Sequence, residues 1–172
     1  MGDLVFVLGG ARSGKSRIAR EQALSLGGSE VTFVATARPG DVELDARIAA
    51  HRRDRPPEWT TIDARRDLGA TLRSVDVRDV VLLDSLTLWA ADALEHDIGI
   101  GAAWADASRV VAERARPTVV VSDEVGLGIV PESRLARAFR DELGWIHQRI
   151  VAQSSLAIFA VAGTPIVLKG LL

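Results

Sequence analysis

Residues 9–16 read Gly9-Gly10-Ala11-Arg12-Ser13-Gly14-Lys15-Ser16, which fits G-x-x-x-x-G-K-[ST]. Each fixed position has a use in holding a polyphosphate. Glycines let the backbone curl so that successive N–H groups point inward at phosphate oxygens. A helix beginning at the end of the loop adds its positive dipole end. Lys15 has the reach and charge for the β- and γ-phosphates, and the Ser16 hydroxyl is a hard oxygen donor suited to Mg²⁺. The lysine is informative in itself, because Lys15 and Lys169 are the only lysines among 21 basic residues.

A carboxylate beside such a loop completes a magnesium site. Val80-Val81-Leu82-Leu83-Asp84 is an apolar run ending in an acid, the arrangement that phosphate-loop enzymes use to hold the metal directly or through water. Asp84-Ser85 also suits a helix cap. Asp123-Glu124 is a rival for the metal, ranked second because Gly126 and Gly128 follow it closely and read as a mobile loop. His51 precedes Arg52-Arg53-Asp54-Arg55-Pro56-Pro57 at the end of a helical pattern. Two readings of it stand side by side. One is a solvated helix end, where basic groups favour the dipole. The other is a nucleophile toward a nucleotide phosphate, with arginines neutralising the developing charge. The helix end and a carboxylate neighbour favour the charged imidazole, which cannot attack, and the arginines oppose them. His96 reads as exposed and His147 as a structural helix residue.

These groups need a scaffold, and the apolar runs supply one. Leu4–Leu8, Val31–Ala35, Val80–Leu83, Thr118–Val121 and Leu156–Val161 are mostly continuous rather than alternating, as in strands buried on both faces; Ile166–Leu168 is a candidate sixth. Helical patterns lie between them over Lys15–Leu26, Val42–Arg53, Thr87–Glu95, Ala102–Arg114 and Arg134–Gln153. Alternating strands and helices predict an α/β fold, a mostly parallel sheet with helices on both faces, whose post-strand loops gather along one edge. The 172 residues are read as a single domain spanning 1–172. Arg52–Pro57 is the most loop-like break and a candidate hinge.

Composition narrows the function. A net charge of -2 gives no basic field for nucleic acid or anionic lipid. With no cysteine there is no disulfide, zinc–thiolate site or catalytic thiol. The opening MGDLVFVLGG lacks a basic n-region and is too short in apolar residues for a signal peptide or span, so a cytoplasmic chain without membrane insertion is expected. From residues alone, a P-loop small-molecule kinase without nucleotidyl transfer stays open, as does a RecA-like ATPase acting on a protein or nucleic-acid partner. The short chain and the missing basic patch count against the second.

Several blocks taken in order resemble one family. Besides residues 9–16, these are Val34-Ala35-Thr36; Arg47-Ile48 with His51, Arg55-Pro56 and Trp59; Leu82-Leu83-Asp84-Ser85-Leu86-Thr87-Leu88-Trp89; Asp123-Glu124-Val125-Gly126-Leu127-Gly128-Ile129-Val130-Pro131 followed by Arg134-Leu135-Ala136-Arg137; and Ala162-Gly163-Thr164-Pro165. They are similar to the bifunctional adenosylcobinamide kinase / adenosylcobinamide-phosphate guanylyltransferases of cobalamin biosynthesis. The resemblance implies a RecA-like P-loop nucleotide-binding fold, ATP or GTP as phosphoryl donor to the aminopropanol hydroxyl of adenosylcobinamide, and GMP transfer from GTP to the resulting phosphate. It places the guanylylated histidine on His51. It places nucleotide contacts on residues 9–16, on Val34, Ala35 and Thr36, on Arg52, Arg53, Asp54 and Arg55, and on Asp63 and Asp84. It further implies a corrinoid substrate and a homotrimer with sites near subunit boundaries. Departures are Asp84 and Asp63, where some members carry Glu, Asp123, where Asn is common, and Ser85, where Cys is frequent.

Overall fold

The structure, a computed structural model, describes residues 2–38, 40 and 42–171, with only the backbone of residues 42–44, 47, 50 and 51. In chain order the elements are β1 (Leu4–Gly9), α1 (Lys15–Gly27), β2 (Val31–Ala35), α2 (Val42–Arg53), β3 (Thr60–Asp63), α3 (Leu68–Ser74), β4 (Val80–Asp84), α4 (Leu86–Glu95), α5 (Ile100–Glu113), β5 (Thr118–Asp123), α6 (Arg134–Gln153), β6 (Leu156–Val161) and β7 (Thr164–Lys169). Among the described residues the strands form one sheet in the order β3-β2-β4-β5-β1-β6-β7, parallel throughout except for β7.

The period of two along each strand divides the core into two layers. Leu4, Phe6 and Leu8 of β1 face one side, where Val81, Leu83 and Val120 meet Leu72, Trp89, Trp104, Leu143 and Ile150 of α3 to α6. Val5 and Val7 face the other, with Leu82, Val119 and Val121 against Ile18, Ala19 and Ala23 of α1. Both faces are dry, which is why the strands read as unbroken apolar runs.

Two elements escape the sequence reading. The edge strand β3 is largely exposed and offers only Ile62 to the core, so Thr60–Asp63 carries no apolar run. Helix α3 has seven residues, too few to show a period; Asp67 caps it by accepting from Ala70 N at 2.8 Å. The candidate sixth strand is real but antiparallel. It forms a hairpin with β6 through Ala162 and Gly163, both at positive φ, as a two-residue primed turn requires.

A buried polar chain crosses the layer between sheet and α6. Ser122 Oγ lies 2.8 Å from His147 Nε2 and 3.0 Å from Thr87 Oγ1, and Thr87 Oγ1 accepts from Asp123 N at 2.6 Å. His147 is 6 % exposed and stacks obliquely on Phe6 with ring centroids 5.5 Å apart. Burial lowers its pKa from 6.5 to about 4, against smaller opposing effects of Glu124 and Asp123. The unfolded chain therefore binds a proton that the native state refuses. Stability from this group is complete above pH 6.5 and is lost as pH falls toward about 4, a total of roughly 3 kcal/mol. Urea midpoints of the parent should fall across that window, and those of a His147→Phe variant should fall distinctly less. Equal slopes for the two proteins would count against a neutral buried imidazole.

Candidate active site

The C-terminal ends of β1, β5, β4, β2 and β3 line up along one edge. Register pairs Gly9 with Asp123, Ala35 with Asp84, and Ala35 with Asp63. The order β1-β5-β4 places β5 between the phosphate-loop strand and the strand bearing Asp84.

The loop leaves β1 and turns at once into α1. Gly9 is required by space, since a Cβ there would lie 2.5 Å from Ser13 Oγ and 2.8 Å from the Ala160 carbonyl. Gly14 caps α1 at φ 90, and its built Cβ would meet Gly163 Cα at 3.0 Å. The β6–β7 turn thus packs against the loop, and Gly163 N donates to Ser13 O at 2.9 Å while Arg17 donates to Gly163 O at 2.7 Å. Ala162-Gly163 therefore has a local task that its spacing did not reveal. Ser13 Oγ is buried with no hydrogen-bond partner among the described residues, a hydroxyl suited to a ligand oxygen.

Lys15, Ser16, Ala35, Arg52, Arg55, Asp84 and Asp123 line one cleft of about 130 Å³, together with Phe33, Ala37, Ile48, Ser85 and Leu88. A neighbouring cleft shares Ala35 and Arg52 and adds Thr36 and Asp63. A third groove is shared by Arg52, Arg55 and Asp63. Of the expected contacts, Lys15, Ser16, Ala35, Thr36, Arg52, Arg55, Asp63 and Asp84 line these adjoining clefts. The rest are not among their lining residues, and Thr36 has a structural task as well. Val34 is fully buried in the core. Thr36 fastens the end of β4, its hydroxyl donating to Ser85 O at 2.8 Å and accepting from Ser85 N at 2.7 Å. Asp54 turns to Arg20 of α1 at 3.5 Å, and Arg53 is exposed outside the cleft. Gly10, Ala11 and Arg12 form the loop backbone, with Arg12 at φ 54.

The Arg55 guanidinium sits 3.4 Å over the Phe33 ring, and its pKa is lowered, chiefly by burial, against the opposing effect of Asp84. With the Asp54–Arg20 pair it fastens the stretch expected to hinge at two points, and just beyond that stretch Trp59 Nε1 donates to Gly28 O at 2.9 Å. His51 lies in α2, three residues from Ile48 and one from Arg52, both of which line the cleft; its side chain lies outside the described residues. Position 51 shares a helix face with Ile48 by spacing. The ion pair between Lys15 Nζ and Asp123 Oδ1 at 2.5 Å was not foreseen. Only the strand order shows that Asp123, not Asp84, ends the strand beside the loop.

A parallel sheet feeding a G-x-x-x-x-G-K-S loop, with an acid two strands away, defines a P-loop nucleotide-binding protein of RecA-like order. The fold is similar to the flagellar accessory protein FlaH from Methanocaldococcus jannaschii, with TM-score 0.55 and 14 % identity over 98 % of this chain and 79 % of that one. It is also similar to the ATPase domain of G40P, with TM-score 0.56 and 13 % identity over 98 % and 77 %. The chain belongs to the cobinamide kinase / cobinamide phosphate guanyltransferase family, whose model matches residues 5–168. It is 41 % identical to the bifunctional adenosylcobalamin biosynthesis protein CobP of Pseudomonas aeruginosa, over 95 % of this chain and 96 % of the relative. It is 35 % identical to the bifunctional adenosylcobalamin biosynthesis protein CobU of Escherichia coli, over 96 % and 99 %. Among the described residues no helix is long and apolar enough to cross a membrane.

Proposed function

We propose that the chain phosphorylates the aminopropanol hydroxyl of adenosylcobinamide with ATP or GTP and then transfers GMP from GTP to that phosphate. The observation that carries this is the single cleft holding Lys15, Ser16, Asp84 and the arginines that flank position 51, in a chain of this family. In the kinase step the loop amides and Lys15 neutralise the β- and γ-groups while the corrinoid hydroxyl displaces the nucleoside diphosphate in line. In the second step a neutral His51 nitrogen bonds to the α-phosphorus and the bond to the bridging β-oxygen breaks, releasing pyrophosphate. An oxygen of cobinamide phosphate then attacks that phosphorus and the imidazole leaves. Two displacements replace one difficult one. Arg52 and Arg55 balance charge on the transferring group.

Magnesium fits the donor set. Ser16 and Asp84 offer hard oxygens in the cleft that holds Lys15, and these two residues would hold Mg²⁺ there. When bound it would supply charge neutralisation across the phosphates. The same reading makes the protein a cytoplasmic homotrimer with a corrinoid substrate. Strand β7 supports association, since it is an exposed edge carrying Ile166, Val167 and Leu168, a surface that folded proteins usually cover. A sedimentation mass of three chains is the check.

The deciding experiment uses α-labelled GTP with Mg²⁺. Acid-labile label should stay on the protein and pass to cobinamide phosphate when that is added. A protein that phosphorylates cobinamide but never acquires label would be a P-loop kinase alone.

A further inference from the structure

The cleft places a carboxylate where a polyphosphate has to bind. Asp123 Oδ1 is 2.5 Å from the Lys15 ammonium, which also donates to Gly10 O at 3.2 Å. The pair is partly shielded, with the two side chains 13 % and 31 % exposed, so solvent screens it incompletely. The backbone of Asp123 is held from two sides. On one, β5 pairs with β1 in the Gly9–Asp123 register and Glu124 N donates to Gly9 O at 3.1 Å. On the other, Asp123 N donates to Thr87 Oγ1, which is itself fixed through Ser122 to His147. The carboxylate can swing, but its Cα cannot retreat. It stays within a side-chain length of the place where Lys15 would meet the β- and γ-phosphates. There it competes for the lysine and repels the bare anion, and the repulsion weakens when a divalent cation lies on the phosphates and cancels part of their charge.

We propose that Asp123 makes this cleft selective for the magnesium complex of the nucleotide, by occupying Lys15 and repelling a metal-free triphosphate. The proposal rests on the reading of the cleft as the triphosphate site. It gives Asp123 a positioning and selecting role distinct from ligating the metal.

The test is calorimetric titration of the full chain with the α,β-methylene analogue of GTP, once in excess Mg²⁺ and once in excess EDTA. The quantity read is the ratio of the two dissociation constants, metal-free over metal-bound. In Asp123→Asn this ratio should fall by at least about tenfold, through tighter binding of the metal-free analogue. Asp123→Ala should tighten metal-free binding in the same direction, which separates loss of charge from a new amide hydrogen bond. Thermal melting of each variant establishes that it is folded. An unchanged ratio in both folded variants overturns the proposal. So does a ratio that falls only because the magnesium complex binds more weakly, which would make Asp123 a metal ligand. If the parent binds neither form, the triphosphate reading of the cleft fails instead.

Discussion

A His51→Ala variant is expected to take up no GMP label from α-labelled GTP while still phosphorylating cobinamide at a rate close to the parent's. In the proposed mechanism the two reactions share a loop but not a nucleophile. In the kinase step the attacking atom belongs to the corrinoid, so position 51 has no bond to form. In the proposed guanylyl step removing the attacking imidazole nitrogen deletes the covalent intermediate, and loss of a nucleophile costs on the order of 10⁴-fold or more. Helix α2 should tolerate the change, because alanine has the best intrinsic helix propensity. Quantifying protein-bound label and phosphorylated cobinamide in the same reaction reads both outcomes. Label equal to the parent's would remove His51 from the mechanism, and loss of both reactions would mean that the residue supports the cleft rather than the chemistry.

Lys15→Ala should cripple both reactions, each by about 10³-fold in kcat/KM. The ammonium reaches into the cleft, where among the described residues its partners are Asp123 and the Gly10 carbonyl. A triphosphate transition state there gains charge that no neighbouring lysine can balance, since Lys169 lies at the far end of β7. The fold should survive, because Lys15 opens α1 facing the cleft and belongs to neither core layer. Steady-state assays of phosphorylation and of GMP transfer, alongside a melting curve, test this. Lys15→Arg should not restore activity, because a planar guanidinium does not replace a compact ammonium held between phosphates. Kinase activity persisting in the alanine variant would place the phosphoryl donor elsewhere.

The buried strands were legible because both faces of the sheet are covered, so their side chains had to be apolar without interruption. The phosphate loop was legible because its geometry tolerates few residues, as Gly9 and Gly14 show by what a Cβ would strike. Strand β3 was not legible, since an edge strand exposed to solvent carries no apolar signature. Nor was the seven-residue α3, whose stability comes from Leu68 and Leu72 packing in the core and from the Asp67 cap rather than from a visible period.

The site divides along the same line. Local chemistry, written in adjacent residues, pointed to Lys15, Ser16 and Asp84 and left the arginines after His51 open, and the order of several such blocks identified the family. What needed the tertiary structure was every relation between residues distant in the chain. Which of the two acids ends the strand beside β1 is a matter of sheet order, not of sequence neighbours. The loop's packing on the Ala162–Gly163 turn, the stacking of Arg55 on Phe33 and the buried chain from His147 to Asp123 arise in the same way. Residue type fixes what a group can do chemically within its own few ångströms; the packing of the two core layers decides which groups are brought close enough to do it together.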